Sequence, residues 1–311
     1  MNQLRIALCD YLSMRHALGF RLLRPGRALG RFVEFAETKG ASVITTDLAL
    51  DWARLPQRAQ PSTWATRLAL VRRFARYCHT IDMRTEIPPD CLLPDRLRRK
   101  PPHIWSRVEV RALLSSARRM RSPLGLRGKT YETFFGLIAG TGLRISEALH
   151  LDNMDLDWIS GAITVRNTKF GKTRLVPLHP TTLAVLRSYA KVRDQLVPIR
   201  DQKAYFLTED GARLSEGAVR CVYARLRTKI PFNWQVGQRR PRIHDLRHSF
   251  AVATLRRWYS AGRPAEALLP RLATYLGHAH VNDTYWYLSA VPDLLASAAR
   301  LFERNERSCS R

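Results

Sequence analysis

The sequence predicts a mainly α-helical protein with a small antiparallel β-sheet, arranged as a helical domain over residues 1–100 and a mixed α+β domain over residues 103–311. Three observations lead there. Apolar residues recur at helical spacing through the first hundred positions, a basic run ending in Pro101-Pro102 breaks the chain, and the period changes from helix to strand near Ile163.

In chain order, Leu4, Leu8, Tyr11 and Leu12 mark a first helix before Gly19. Leu29, Phe32, Val33 and Ala36 mark a second before Gly40, which suits a left-handed C-terminal cap. A third helix falls within 47–55. The fourth starts near Pro61, and its stripe of Trp64, Leu68, Val71, Phe74 and Cys78 leaves Arg72, Arg73 and Arg76 on other faces as candidate contacts for an anionic partner. Two prolines after the basic run at 95–100 favour an extended linker. Ser106 and Glu109 form a capping-box pattern that opens the second domain. Tyr131, Phe134, Phe135 and Ile138 make a buried helix ending at Gly140-Thr141-Gly142. After a Ser160-Gly161 turn, Ile163 and Val165 alternate with Thr164 and Arg166, and residues 173–178 pair with them across a loop at 167–172. From Pro180 onward the pattern is mostly helical, with 205–208 too short to place, and an apolar stripe from Val291 to Phe302 marks a final helix over 291–304.

Lys and Arg number 52 against 26 Asp and Glu, a formal charge of +26. The first hundred residues hold 18 basic and 9 acidic side chains, and the remainder 34 and 17, so the excess runs through the whole length. Such a chain repels itself until an anion neutralises it, and both domains are expected to face that anion. With 45% apolar residues the chain can bury a core, which excludes disorder as the main state. The N-terminus offers neither a signal-peptide core nor a membrane span, so a cytoplasmic protein with no membrane partner is expected. Five widely spaced cysteines fit reduced thiols rather than a disulfide framework. A basic surface without a lone amphipathic aromatic helix indicates nucleic acid.

Four separated segments have unusual content: TGLRISE with Arg144 and Glu147, TKFGK with Lys169 and Lys172, HDLRH with His244 and Arg247, and LGH with His278 followed by Tyr287. An unpaired guanidinium behind a buried helix is costly, so Arg144 must meet a carboxylate or an anionic ligand, and Glu147 is close enough to orient it. His244 and Arg247, three apart, share a helix face opposite Leu246, Phe250 and Ala253.

In this order and spacing the segments resemble the tyrosine recombinase family, which includes phage integrases and Xer-type recombinases. The resemblance spans nearly the entire chain. It implies a SAM-like helical core-binding domain followed by the family's catalytic domain. It also implies that Arg144 and Arg247 bind the non-bridging phosphate oxygens, where planar forks outperform lysine. His244 is then the candidate proton acceptor and His278 bonds the phosphate or the attacking group; which histidine does more of the proton work is open. Lys169, five residues before Arg174 in RLVPL, would protonate the leaving 5′ oxygen, with Lys172 as the fallback and Lys172 and Arg174 as basic DNA contacts. Tyr287, nine residues beyond His278, is the nucleophile rather than Tyr285. The family's reaction uses a covalent 3′-phosphotyrosine, with no cofactor, metal or ATP, on double-stranded DNA with inverted-repeat core sites and as a homo-tetramer.

The residues agree with that chemistry in lacking a GxxxxGK[ST] run. Asp152, Asp155 and Asp157 miss the glycine and distal glutamate of a calcium loop, and read as a polar approach to the first strand. Two other functions fit part of the pattern. A strand-relaxing topoisomerase would use the same nucleophile, and a DNA-binding regulator would need neither Lys169 nor Tyr287.

Overall fold

The apolar stripes of the first hundred residues fold into α1 (Gln3–Ala17), α2 (Leu23–Thr38), α3 (Thr46–Arg54) and α4 (Pro61–Ile81). The computed structural model describes residues 3–20, 22–94, 101–166, 173–197, 203–232, 240–263, 265–278, 280 and 284–285. It divides into two units, Met1–Arg99 and Lys100–Arg311. In the first, Leu8, Leu29, Phe32, Trp52, Leu68, Val71 and Phe74 form one core. Thr45 caps α3 by accepting the Leu48 N–H at 3.2 Å, while Pro61 needs no N–H partner in the first turn of α4.

The second unit opens with α5 (Arg107–Arg118), started by the Ser106–Glu109 capping box. It continues through α6 (Leu126–Thr141), the short α7 (Ile145–Leu149), strands β1 (Leu156–Asp157), β2 (Ala162–Val165) and β3 (Arg174–Pro177), and helices α8 (Pro180–Leu196), α9 (Glu216–Arg227), α10 (Ile243–Ser260) and α11 (Ala265–Leu276). Buried nearly all round, α6 contributes Phe134, Phe135, Leu137 and Ile138 to the main core. A second cluster joins α10 to α11 through Val252, Leu255, Leu269, Leu272 and Leu276.

The sheet is an antiparallel meander, β1-β2-β3. Its register sets Ile163 opposite Val176 and Val165 opposite Arg174, so Arg174 emerges on the face that carries the buried Val176. Leu175 takes the outer face and is 66% exposed. The three aspartates before the sheet have separate structural partners. Asp152 pairs with Arg213 (2.6 Å), Asp155 with Arg166 (2.6 Å), and Asp157 accepts the N–H groups of Ile159 and Ser160 in the β1–β2 turn. Among the described residues, no helix is long and apolar enough to cross a membrane.

Candidate active site

The end of α6, the start of α7, the first residue of β3, the first turns of α10 and the end of α11 converge on one cluster. Gly142 ends α6 with φ 68°, and a Cβ there would come within 2.7 Å of Phe250, so glycine serves both the left-handed cap and the close approach of α10. The tight exit delivers Arg144 to the first turn of α7. Its backbone N–H donates to Glu147 Oε2 at 2.9 Å, and its guanidinium donates to Glu147 Oε1 at 2.6 Å and to the Gly277 carbonyl at 2.8 Å.

Arg247, only 1% exposed, donates to the carbonyls of Gly142 (2.7 Å) and Leu276 (2.6 Å) and lies 3.9 Å from Glu147 Oε2. Arg174 donates through Nη1 and Nη2 to the two oxygens of Glu147 (3.1 and 2.8 Å) and through Nε to the Tyr275 carbonyl (2.8 Å).

The end of α11 explains these carbonyl contacts. The last carbonyls of a helix have no intrahelical donor. Here the Gly277 N–H donates to Thr274 and the His278 N–H to Ala273, a Schellman closure that leaves the next three acceptors in the chain. Tyr275, Leu276 and Gly277 then receive Arg174, Arg247 and Arg144 respectively. Cations also suit the negative end of the helix dipole.

Among the described residues, three guanidiniums face one carboxylate, an excess of positive charge. Burial alone would push the Glu147 carboxyl up. The hydrogen bonds and charge of Arg174, reinforced by Arg144, prevail and hold it down at about 2. Glu147 therefore stays ionised and orients the forks while matching only part of their charge.

His244 stands in the first turn of α10, its ring edge-to-face with His248 at 4.6 Å between centroids. Neighbouring protein atoms, with the charges of Arg247, Arg242 and Arg144, lower its imidazole to about 4, although the residue is exposed to solvent. A neutral imidazole at pH 7 is the form that can accept a proton. His248 is lowered further, to about 3, by burial and then by His244 and nearby arginines. His278 shares a 2.7 Å hydrogen bond between Nδ1 and Oγ1 of the fully buried Thr284, which sets the ring orientation directly after α11.

Arg144, Glu147, His244, Arg247 and His278 thus gather at one place. Lys169, Lys172, Tyr287 and the helix expected over 291–304 lie outside the described residues. Two arginines expected at the DNA turn inward. Arg174 follows the β3 register into the cluster, its side chain 10% exposed. Arg72 bonds the carbonyls of Pro88 (2.6 Å) and Pro89 (2.5 Å) and pairs with Asp90, tying the segment after α4 onto that helix. Arg73 and Arg76 are exposed. Sequence reasoning gave His248 no role, although its spacing of four from His244 in HDLRH places it one turn along the same helix.

The sequence pattern of the phage integrase family matches residues 106–292. The chain is a tyrosine recombinase of that family. It belongs among site-specific recombinases, enzymes that cut and rejoin DNA. The recombinase is 45% identical over 308 residues to y4rB of Sinorhizobium fredii, an integrase/recombinase by name, covering 98% of each chain. It is 32% identical over 245 residues to the tyrosine recombinase XerC of Pelotomaculum thermopropionicum, covering 77% of this chain and 74% of that one. Its fold is similar to that of the Tn1549 transposon integrase in complex with transposon right end DNA, with TM-score 0.69, 19% identity and coverage of 98% and 99%. It is also similar to the lambda integrase in a tetramer bound to a Holliday junction, with TM-score 0.65, 14% identity and coverage of 91% and 76%.

Proposed function

We propose that this recombinase cuts DNA by attack of the Tyr287 hydroxyl on a phosphodiester, forming a 3′-phosphotyrosine and a free 5′ hydroxyl. A second 5′ hydroxyl then displaces the tyrosine. The P–O bond made to tyrosine conserves the bond broken in the strand, so no ATP is consumed.

The single observation that carries this reading is the cluster in which Arg144 and Arg247 are held by backbone carbonyls beside Glu147, with more guanidiniums than carboxylates among the described residues. A phosphodiester transition state gathers negative charge on its equatorial oxygens, and preset guanidiniums stabilise it with little reorganisation. His244, neutral at pH 7, accepts the tyrosine proton, and His278, oriented by Thr284, donates toward the phosphate. Lys169 protonates the departing 5′ oxygen.

The partner is double-stranded DNA with inverted-repeat core sites, engaged by a homo-tetramer that serves integration, transposition or resolution. The Holliday-junction tetramer and the transposon-end complex of the structural neighbours support this assembly. The exposed Arg73 and Arg76 of α4 contribute affinity from the helical unit.

Nicked duplexes drawn from the DNA flanking the coding region test the proposal. The wild-type protein should trap a covalent complex, Tyr287→Phe should bind equally and trap none, and Tyr285→Phe should still trap it. A phosphodiester mapped to Tyr285 would overturn the nucleophile assignment.

A further inference from the structure

We infer that Arg174 is a positioning residue of this recombinase, which presets Arg144 and His278 rather than contacting DNA. The inference rests on the reading of those two residues as phosphate-activating groups.

Arg174 has five N–H donors, as every guanidinium does, and three are committed inside the protein. Two go to the two oxygens of Glu147, the carboxylate that also orients Arg144, and the third goes to the Tyr275 carbonyl, three residues before His278. With its side chain 10% exposed and held by the β3 register, this fork has all three of its nitrogens engaged inside the protein. The other two arginines of the cluster, Arg144 and Arg247, reach one carbonyl each on the same turn. Arg174 grips Glu147 with two guanidinium nitrogens and the helix end with a third, whereas the Arg144 guanidinium meets Glu147 through one.

Gly277 supports the same assignment. Its φ is +70°, and a Cβ there would lie 2.8 Å from Arg174 Nη1, so the backbone after α11 lies directly against the guanidinium. One side chain thereby connects the first residue of β3, the carboxylate behind Arg144 and the turn that releases His278. Lysine cannot replace it. A single ammonium can meet Glu147 as a point charge but lacks the planar fork that meets a carboxylate and a carbonyl together.

The test compares wild type with Arg174→Lys and Arg174→Gln on the nicked duplexes, reading DNA affinity and single-turnover cleavage separately. Arg174→Lys should bind DNA within about twofold of wild type and cleave roughly 100-fold more slowly, the scale of a misplacement of about 1 Å. Arg174→Gln should be slower still. A substrate with bridging sulphur at the 5′ position, whose thiolate leaves without a proton, should not rescue either variant, because the defect lies in phosphate activation.

Amide hydrogen exchange without DNA gives a readout independent of cleavage. Exchange at 275–278 should quicken in both variants while α1–α4 stay unchanged, which also shows that the variants are folded. Wild-type cleavage by Arg174→Lys, affinity falling in step with rate, rescue by the sulphur substrate, or unchanged exchange at 275–278 would each overturn the inference. Failure of the wild-type protein to form any covalent complex would sink the functional reading instead, and the exchange data would still decide whether Arg174 holds the turn.

Discussion

Replacing Glu147 by glutamine removes one charge from a buried site with almost no change in shape, and the structure sets the expected cost. The carboxyl falls from its ordinary 4.5 to about 2 in the folded protein, a shift worth about 3 kcal/mol at neutral pH. The side chain is 6% exposed, so solvent screens little of this. Breaking a buried ion pair by removing one partner costs about 3–5 kcal/mol, the same range. The sign follows from linkage. Folded Glu147 holds its proton more weakly than unfolded Glu147, so its stabilisation is complete above pH 4.5 and is lost as the pH falls toward 2. At pH 3 less than half of it should remain. Urea unfolding of wild type and Glu147→Gln, followed by hydrogen exchange or fluorescence of the second unit, measures the difference at each pH. The histidines titrate in both proteins and largely cancel. A difference that stays constant from pH 7 to pH 3, or one below about 1 kcal/mol at pH 7, would refute the claim that one ionised carboxylate holds this cluster together.

Gly277→Ala should destabilise the second unit by about 1–2 kcal/mol and slow cleavage, because alanine must adopt φ +70° with its methyl group against Arg174; thermal melts and covalent-complex formation check this. With His244 lowered to about 4, single-turnover cleavage should hold its rate well below pH 6.5 and decline only as the pH falls toward 4, where the base protonates; a midpoint near 6.5 would show that solvent at this exposed residue cancels the lowering. Arg72→Ala should lower the stability of the isolated first unit while changing DNA affinity little, whereas Arg76→Ala should leave stability unchanged and weaken binding by a salt-dependent amount. Urea denaturation and binding titrations at two salt concentrations separate these two arginines.

Local signals carried the helical unit well. Each of its helices has an apolar stripe bounded by a glycine, a capping threonine or a proline, and such signals act within a few residues. Strand β1 escaped because two residues make no period, and it exists through the pairing of Leu156 with Ile163. The segment around Tyr205 and Phe206 is fully buried, yet bridges from Asp152 to Ala204 and from Leu207 to Arg213 hold it there, and the first spans 52 residues of chain. In Arg174-Leu175-Val176 two adjacent apolar residues compete for the inner face, and packing chose Val176, which carried Arg174 inward with it. Arg72 was misread for a related reason, since its acceptors are carbonyls on a segment that follows the helix. Of the motif residues, Arg144, Glu147, His244, Arg247 and His278 come together, but the motifs gave no sign that Arg174 and His248 join them. They did not show that helix-end carbonyls, as much as the carboxylate, hold the guanidiniums in place.

Those carbonyls also place the site in time. Arg144 and its acceptor Gly277 are 133 residues apart, Arg247 and Gly142 are 105, and Arg174 and Tyr275 are 101. Contacts so distant in sequence close slowly and late. During synthesis the helical unit and the sheet emerge from the ribosome before residues 275–277 exist to receive the three guanidiniums. A chain without these residues therefore already carries the basic side chains of the helical unit, but its three guanidiniums are not yet held in place. The cluster takes its shape only once residues 275–277 have joined the fold.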